Sequence, residues 1–196
     1  MDQQVETAAG SAMAGRDMAH PDGQYTTVAK WFHWVTAVLM AVALAFGFVI
    51  KHVKDSDKMV FYAIHESAGL TILFVALARL AWRRFNPPPP LPDHVPLPMR
   101  RAAAAVHHAL YALLILQPLI GFVATNAWGF PMQGATAYLG FIEIPAVIGE
   151  TPWLARILST VHTVFGYTLV ALLAAHVGGA IYHHAIRRDG TLMRML

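Results

Sequence analysis

A chain of 196 residues that is 57% hydrophobic and 13% charged carries more apolar surface than a water-soluble fold of this size hides, since soluble domains hold ~25% charged residues. With a mean hydropathy of +0.49, the bilayer is the expected solvent. The absence of cysteine excludes disulfides, cysteine-held zinc, iron–sulfur clusters and thioether-attached haem, and the formal charge of +3 gathers at the ends of apolar runs, which points to topology and away from nucleic acid.

Residues 1–25 are polar and small, with Asp2, Glu6 and Asp17 and no apolar stretch. They lack the basic start and apolar core of a signal peptide and are expected to form a disordered tail ahead of a single domain over 26–196. The first apolar run, Trp31 to Ile50, is just long enough to cross a core of ~30 Å as a helix. The second, Met59 to Trp82, stops at Arg83-Arg84 and is followed by Pro87 to Pro90, a stiff linker that no helix interior tolerates. The third runs from Ala102 to Ala124, with Pro118 read as a tolerated kink. A loop from Asn126 to Pro152 leads into the fourth, Trp153 to Ile186, whose end is expected to project into water before Arg187-Arg188.

The fold class is therefore all-α, a four-helix transmembrane bundle. Four spans put both termini on one side, which holds ten of the fourteen Lys and Arg residues. The positive-inside rule makes that side cytoplasmic. Trp31, Trp34 and Trp82 then fall at the inner interface and Trp128 and Trp153 at the outer one, as anchoring aromatics do.

Ionisable residues inside spans are costly and point to function. Six of the eleven histidines lie there: His33, His65, His107, His108, His162 and His176. His162 and His176 are 14 residues apart, which places them on one helix face about 21 Å apart along the axis. His65 matches His162 in depth, each shortly past a basic residue at the outer end. His33 pairs with His176 less neatly, and His107 and His108 lie at about the depth of His33, so either could replace His33 or His176 on geometry alone. Two imidazole pairs facing into a bundle suit two bis-histidine b-type haems. Small residues follow each histidine on its own face: Gly69, Gly166, Ala37 and Gly179. Arg79, 14 residues after His65, shares that face and could meet a propionate of an inner haem. His183 and His184 at the end of the fourth run could contact a quinone or a propionate.

These segments resemble the prokaryotic cytochrome b561 family of small di-haem membrane proteins. The resemblance rests on Tyr25 with Lys30-Trp31-Phe32-His33-Trp34, on His65-Glu66-Ser67-Ala68-Gly69, and on Arg79 with the proline run. It continues through Gln117-Pro118-Leu119-Ile120-Gly121, Gly140 to Pro145, His162 with His176, and His183-His184 to Met195. It implies haem ligands at His33, His65, His162 and His176, paired His33 with His176 and His65 with His162, and favours His107 over His108 as a non-ligand histidine near the site. It further implies a respiratory-membrane oxidoreductase that oxidises superoxide at the outer face and reduces ubiquinone. Lys51, Lys54, Lys58 and His52 would steer a small anion there, although Asp55 and Asp57 dilute the patch. The competing expectation is an electron-transfer cytochrome b subunit linking a dehydrogenase to quinone. A histidine-rich transporter fits poorly, because Glu66 is the lone carboxylate inside a span.

Overall fold

Apolar runs of this length leave the backbone no partner but itself in lipid, so each closes into a helix. The computed structural model describes residues 23–90 and 95–196. Most of the tail, with Arg16 and His20, and His94 of the linker lie outside the described residues. Helix α1 spans Thr27–Val49 and starts at Thr26, whose side-chain oxygen accepts from the Ala29 amide at 3.3 Å. A 3₁₀ turn, Ile50–His52, ends that span, and a turn held by a Lys58–Asp55 ion pair of 2.6 Å leads into α2, Lys58–Phe85. Asn86 stops α2 by turning its side-chain amide onto the Trp82 carbonyl at 3.1 Å, just before the prolines. Helix α3, Leu97–Ala127, carries one proline in its first turn and Pro118 in its interior. Helix α4, Pro152–Ile181, runs on as a π turn over Tyr182–Arg187.

All four helices are long and apolar enough to cross a membrane. Helices α2 and α3 begin and end outside their apolar runs, because a helix continues past the hydrocarbon until a proline, an Asn or a cap stops it, whereas α1 and α4 end at Val49 and Ile181, inside theirs, and hand over to the 3₁₀ turn and the π turn. Helix α1 packs on α2, α2 on α3 and α3 on α4, and Phe48 of α1 meets Tyr167 of α4 at 5.5 Å between ring centres.

The buried cluster that joins them includes Met40, Ala43, Ile72, Ala76, Leu113, Leu114 and Leu169. Met40 is seven residues past His33, Ile72 seven past His65, and Leu169 midway between His162 and His176. At 1.5 Å per residue the apolar plug thus sits about 10 Å from either histidine level.

The connection from α3 to α4 folds back along α2 instead of staying above it. Ser67 accepts the Leu139 amide at 3.1 Å, and the Tyr138 hydroxyl lies 3.0 Å from that of Thr71. Ser67 is nine residues into α2, so this turn reaches roughly 14 Å below the helix end. Buried Asn126 anchors its return, accepting from the Val147 amide at 3.0 Å and donating to the Phe122 carbonyl at 2.8 Å. Irregular backbone at such depth is tolerated where its polar groups are satisfied by protein.

At the opposite end the C-terminus forms a hook over the helix ends. Arg194 donates to the carbonyls of Gly23, Pro89 and Pro90 at 2.7, 3.0 and 2.9 Å, and the Tyr25 amide donates to the Arg194 carbonyl at 3.2 Å. Gly23 to Tyr25, the last residues of the expected tail, are thereby pinned to the domain. The Trp34 indole reaches the Met195 carbonyl at 3.0 Å. Asp189, 3% exposed, accepts from the His183 ring, the Arg187 guanidinium and the Thr191 amide. Burial on its own would raise that carboxyl, but the hydrogen bonds from His183 and Thr191 outweigh it and hold it well below the usual carboxylate range. A depressed acid stabilises above its unfolded value, near 4, and loses that contribution only as pH falls through the lower folded value. The hook is therefore expected to stay closed across pH 5–8 and to open in Asp189→Asn. Amide exchange over residues 188–196 measures this; a wild-type hook that opens between pH 7 and 5 contradicts it.

Candidate functional site

Helices α2 and α4 run in the same direction from the loop end of the bundle, so His65 and His162, early in each, arrive at one depth. Their ring centres are 6.0 Å apart with planes at 84°. Nearer the termini, His33 of α1 and His176 of α4 stand 6.1 Å apart at 62°. His107 of α3 joins this second level, 5.1 Å from His176. Among the described residues His108 has no ring neighbour there; its Nδ1 donates to the Ala104 carbonyl at 2.7 Å. Among the described residues, no three His, Asp or Glu side chains converge to cage a bare metal ion. The imidazoles are arranged as facing pairs.

The first level is tightly oriented. His65 Nδ1 donates to the Ala43 carbonyl at 2.7 Å, and His162 Nδ1 donates to the Gln117 carbonyl at 3.1 Å. A carbonyl only accepts, so each ring carries its proton on Nδ1 and leaves the Nε2 lone pair available. Four residues past each acceptor, on the same helix, stands a glycine. A methyl group on Gly47 would lie 2.6 Å from His65 Cε1, and one on Gly121 2.8 Å from His162 Cε1. Helices α1 and α3 thus each offer one carbonyl and one bare backbone to an imidazole of the neighbouring helix. The Gln117 side chain adds a bond from its amide to the His162 carbonyl at 2.8 Å.

Around this pair lies a cavity of about 690 Å³, walled by Met40, Leu44, Leu70, Leu113, Leu114, Leu169 and the glycines 47, 69, 121 and 166. Its rim is polar, with Lys51, His52, Tyr62, Ser159 and Thr163. Glu66 also lines it, and its Oε2, like the Gln117 Oε1, is buried without a partner among the described residues. Buried polar atoms left unpaired call for explanation by a ligand, a water or an ion.

The second level is organised by a cation. Arg79, half-buried on α2, donates to His33 Nδ1 at 3.4 Å and lies 5.2 Å above the Tyr111 ring, with Arg83 5.7 Å from the same ring. No carboxylate pairs with Arg79 among the described residues. His183 is drawn into the Asp189 cluster, whereas His184 is exposed.

Sequence reasoning missed Gly47 and met Gly121 only as part of the family resemblance, without its packing role. It looked for small residues on the ligand helices themselves, at Gly69, Gly166, Ala37 and Gly179. Gly69 faces Pro118 at 3.9 Å, Gly166 faces the Gln117 amide at 3.4 Å, and Gly179 has open space. The overlooked signal was available: an interior helical glycine costs about 1 kcal/mol relative to Ala, and one in each of the two partner helices asks for a close neighbour.

A family model described as prokaryotic cytochrome b561 matches residues 24–196. "Cytochrome b561 homolog 2" of Escherichia coli (strain K12) is 31% identical over 176 residues, covering 88% of this chain and 91% of that protein. "Probable superoxide oxidase CybB" of Yersinia pestis is 26% identical over 179 residues, covering 88% and 96%. "Cytochrome b562" of Cereibacter sphaeroides is 24% identical over 178 residues, covering 88% and 94%.

Gly47→Ala and Gly121→Ala are each expected to displace an imidazole that its carbonyl bond holds in place, an overpacking cost of about 1–3 kcal/mol. Gly179→Ala, into open space, is the control. Visible spectra and thermal melts of the purified variants measure this; a Gly47→Ala protein indistinguishable from Gly179→Ala contradicts the packing.

Proposed function

The chain belongs to the prokaryotic cytochrome b561 family, and from that premise we propose that this membrane electron-transfer protein carries two b-type haems, one at each histidine level. His65 and His162 would hold the first, His33 and His176 the second, with His107 and Arg79 beside the latter. The observation that carries this reading is the spacing of the facing rings. Two imidazoles sharing one metal at bonds of about 2 Å would have ring centres about 6 Å apart, as both pairs do. Three further features fit a haem. The cavity at the first level is apolar with a polar rim, as a macrocycle with propionates requires. Its two ring protons are parked on carbonyls, which fixes the tautomer and aims Nε2 inward. At the second level Arg79 is a half-buried cation without a carboxylate among the described residues, suited to a propionate.

Haem, when bound, supplies reversible one-electron chemistry. The chain does the rest. With His65 and His162 holding one haem and His33 and His176 the other, the residues would leave no position on the metal open to a substrate, and the group would supply outer-sphere electron transfer. Met40, Ile72 and Leu169 place buried apolar side chains between the two levels. We place the termini in the cytoplasm and the loop end outside, from the distribution of Lys and Arg. On that orientation Lys51, Lys54 and His52 attract a small anion to the outer rim. Superoxide as donor and ubiquinone as acceptor make the best reading. That a relative carries the name of a probable superoxide oxidase supports it.

The ion pair between Lys58 and Asp55 neutralises part of the attracting rim, and this favours a second reading: an electron-transfer subunit that takes electrons from a dehydrogenase. One experiment separates the two. The purified, oxidised protein in detergent is mixed with superoxide and its visible spectrum followed, then ubiquinone is added. Fast haem reduction, slowed several-fold between 50 and 500 mM salt as a screened anion requires, followed by reoxidation on quinone, is the expected result. The fast phase should vanish in His162→Ala. Superoxide that leaves the spectrum unchanged, together with co-purification of a dehydrogenase, contradicts the oxidase reading.

A further inference from the structure

The end of α4 carries two doublets, His183-His184 and Arg187-Arg188, and the fold divides each. One member of each pair turns inward: His183 and Arg187 both donate to buried Asp189. The other member turns out. His184 and Arg188 are exposed, and neither side chain makes a hydrogen bond or ion pair among the described residues. The division has a structural cause. The π turn over Tyr182–Arg187 shifts the helical register, and Arg188 takes the left-handed conformation, φ 53, which sends the chain back as the hook. Asp189, the acid nearest in sequence, is consumed by the inward pair, so it does not neutralise the outward one.

The outward residues share a cleft of about 550 Å³ with Ala185, Gly190 and Met193. The floor is apolar and two basic groups stand at its edge. The cleft also continues a lipid-facing stripe. Val170, Val177 and Ile181, exposed by 39, 52 and 58%, are spaced seven and four residues apart and lie on one face of α4 leading to His184 and Arg188. An apolar track about 16 Å long that ends in a cationic cleft at the bilayer surface matches the shape and polarity of one class of ligand.

We propose that this cleft binds the phosphate of an anionic phospholipid, with its acyl chains lying along the Val170–Val177–Ile181 stripe. The same phosphate chemistry could come from a free anion, but the stripe commits the site to a lipid. The binding ties the C-terminal hook to the membrane surface and is independent of the electron-transfer reading above. It asks nothing of the haems.

Native mass spectrometry of the full-length, detergent-purified protein tests it, with phosphatidylglycerol or phosphatidylcholine added at equal concentration. Wild type is expected to retain a phosphatidylglycerol adduct that phosphatidylcholine does not reproduce. Arg188→Ala should weaken it about fivefold, the worth of one basic residue near an anionic surface. His184→Ala, at an exposed ring, gives a second reading should Arg188→Ala fold poorly. Arg84→Ala, an exposed cation at the same end of the bundle, is the control for general charge and should leave the adduct in place. Equal loss in Arg84→Ala overturns the proposal, as does equal retention of phosphatidylcholine. Displacement of the adduct by millimolar inorganic phosphate would mean a free-anion site and overturn the lipid assignment, and so would preferential retention of a quinone.

Discussion

The structure depends on how an imidazole is made tolerable inside a membrane. A ring nitrogen that carries a proton needs an acceptor, and lipid offers none. Helices α1 and α3 supply it, as the carbonyls of Ala43 and Gln117, and each withdraws its side chain at the next turn, at Gly47 and Gly121, so that the ring can reach. The bond and the gap are one device used twice. It fixes which nitrogen is protonated, and hence which is left to bind. It also couples each of α2 and α4 to a neighbour that contributes no imidazole at this level, so that all four helices meet around one histidine pair.

The second level solves the same problem differently. There a guanidinium approaches His33 Nδ1, and three imidazoles share the space. Arg79 is itself expensive at that depth and leans on the Tyr111 ring instead of on an acid. One level is thus built from neutral main-chain acceptors and the other around a cation. Two identical groups held in such different surroundings would differ in potential, since a nearby positive charge favours the reduced, more negative state. Between them stands a plug of apolar side chains, Met40, Ile72 and Leu169, placed midway between the histidine levels on α1, α2 and α4.

Much of this was legible in the sequence because a membrane simplifies the code. Runs of about twenty apolar residues can only be helices, and an even count puts the termini together. A 14-residue interval can only mean one face at two depths, so the rings of His162 and His176 were placed from numbers alone. Depth counting also matched His65 to His162. It did less well at the second level, where His33, His107 and His108 begin at similar depths on different helices; only the direction each helix presents, which periodicity cannot supply without neighbours, brings His107 to His176 and leaves His108 apart. The glycines on α1 and α3 were visible in the sequence as interior helical glycines, but what each makes room for was not, because their role is to be empty opposite another helix's side chain. The descent of the α3–α4 connection along α2 was hidden too, because it rests on single hydroxyls, Ser67 and Thr71, that look unremarkable in an apolar run.

The account stands or falls on porphyrin iron bound between paired imidazoles at two heights. A pyridine haemochrome assay with protein quantitation, on the chain purified from haem-replete cells, tests it most directly when run beside a variant lacking both α4 imidazoles, His162→Ala with His176→Ala. Two protohaems per wild-type chain and none in the double variant are predicted. A single haem in the wild type, or a low-spin spectrum that survives in the double variant, would contradict it.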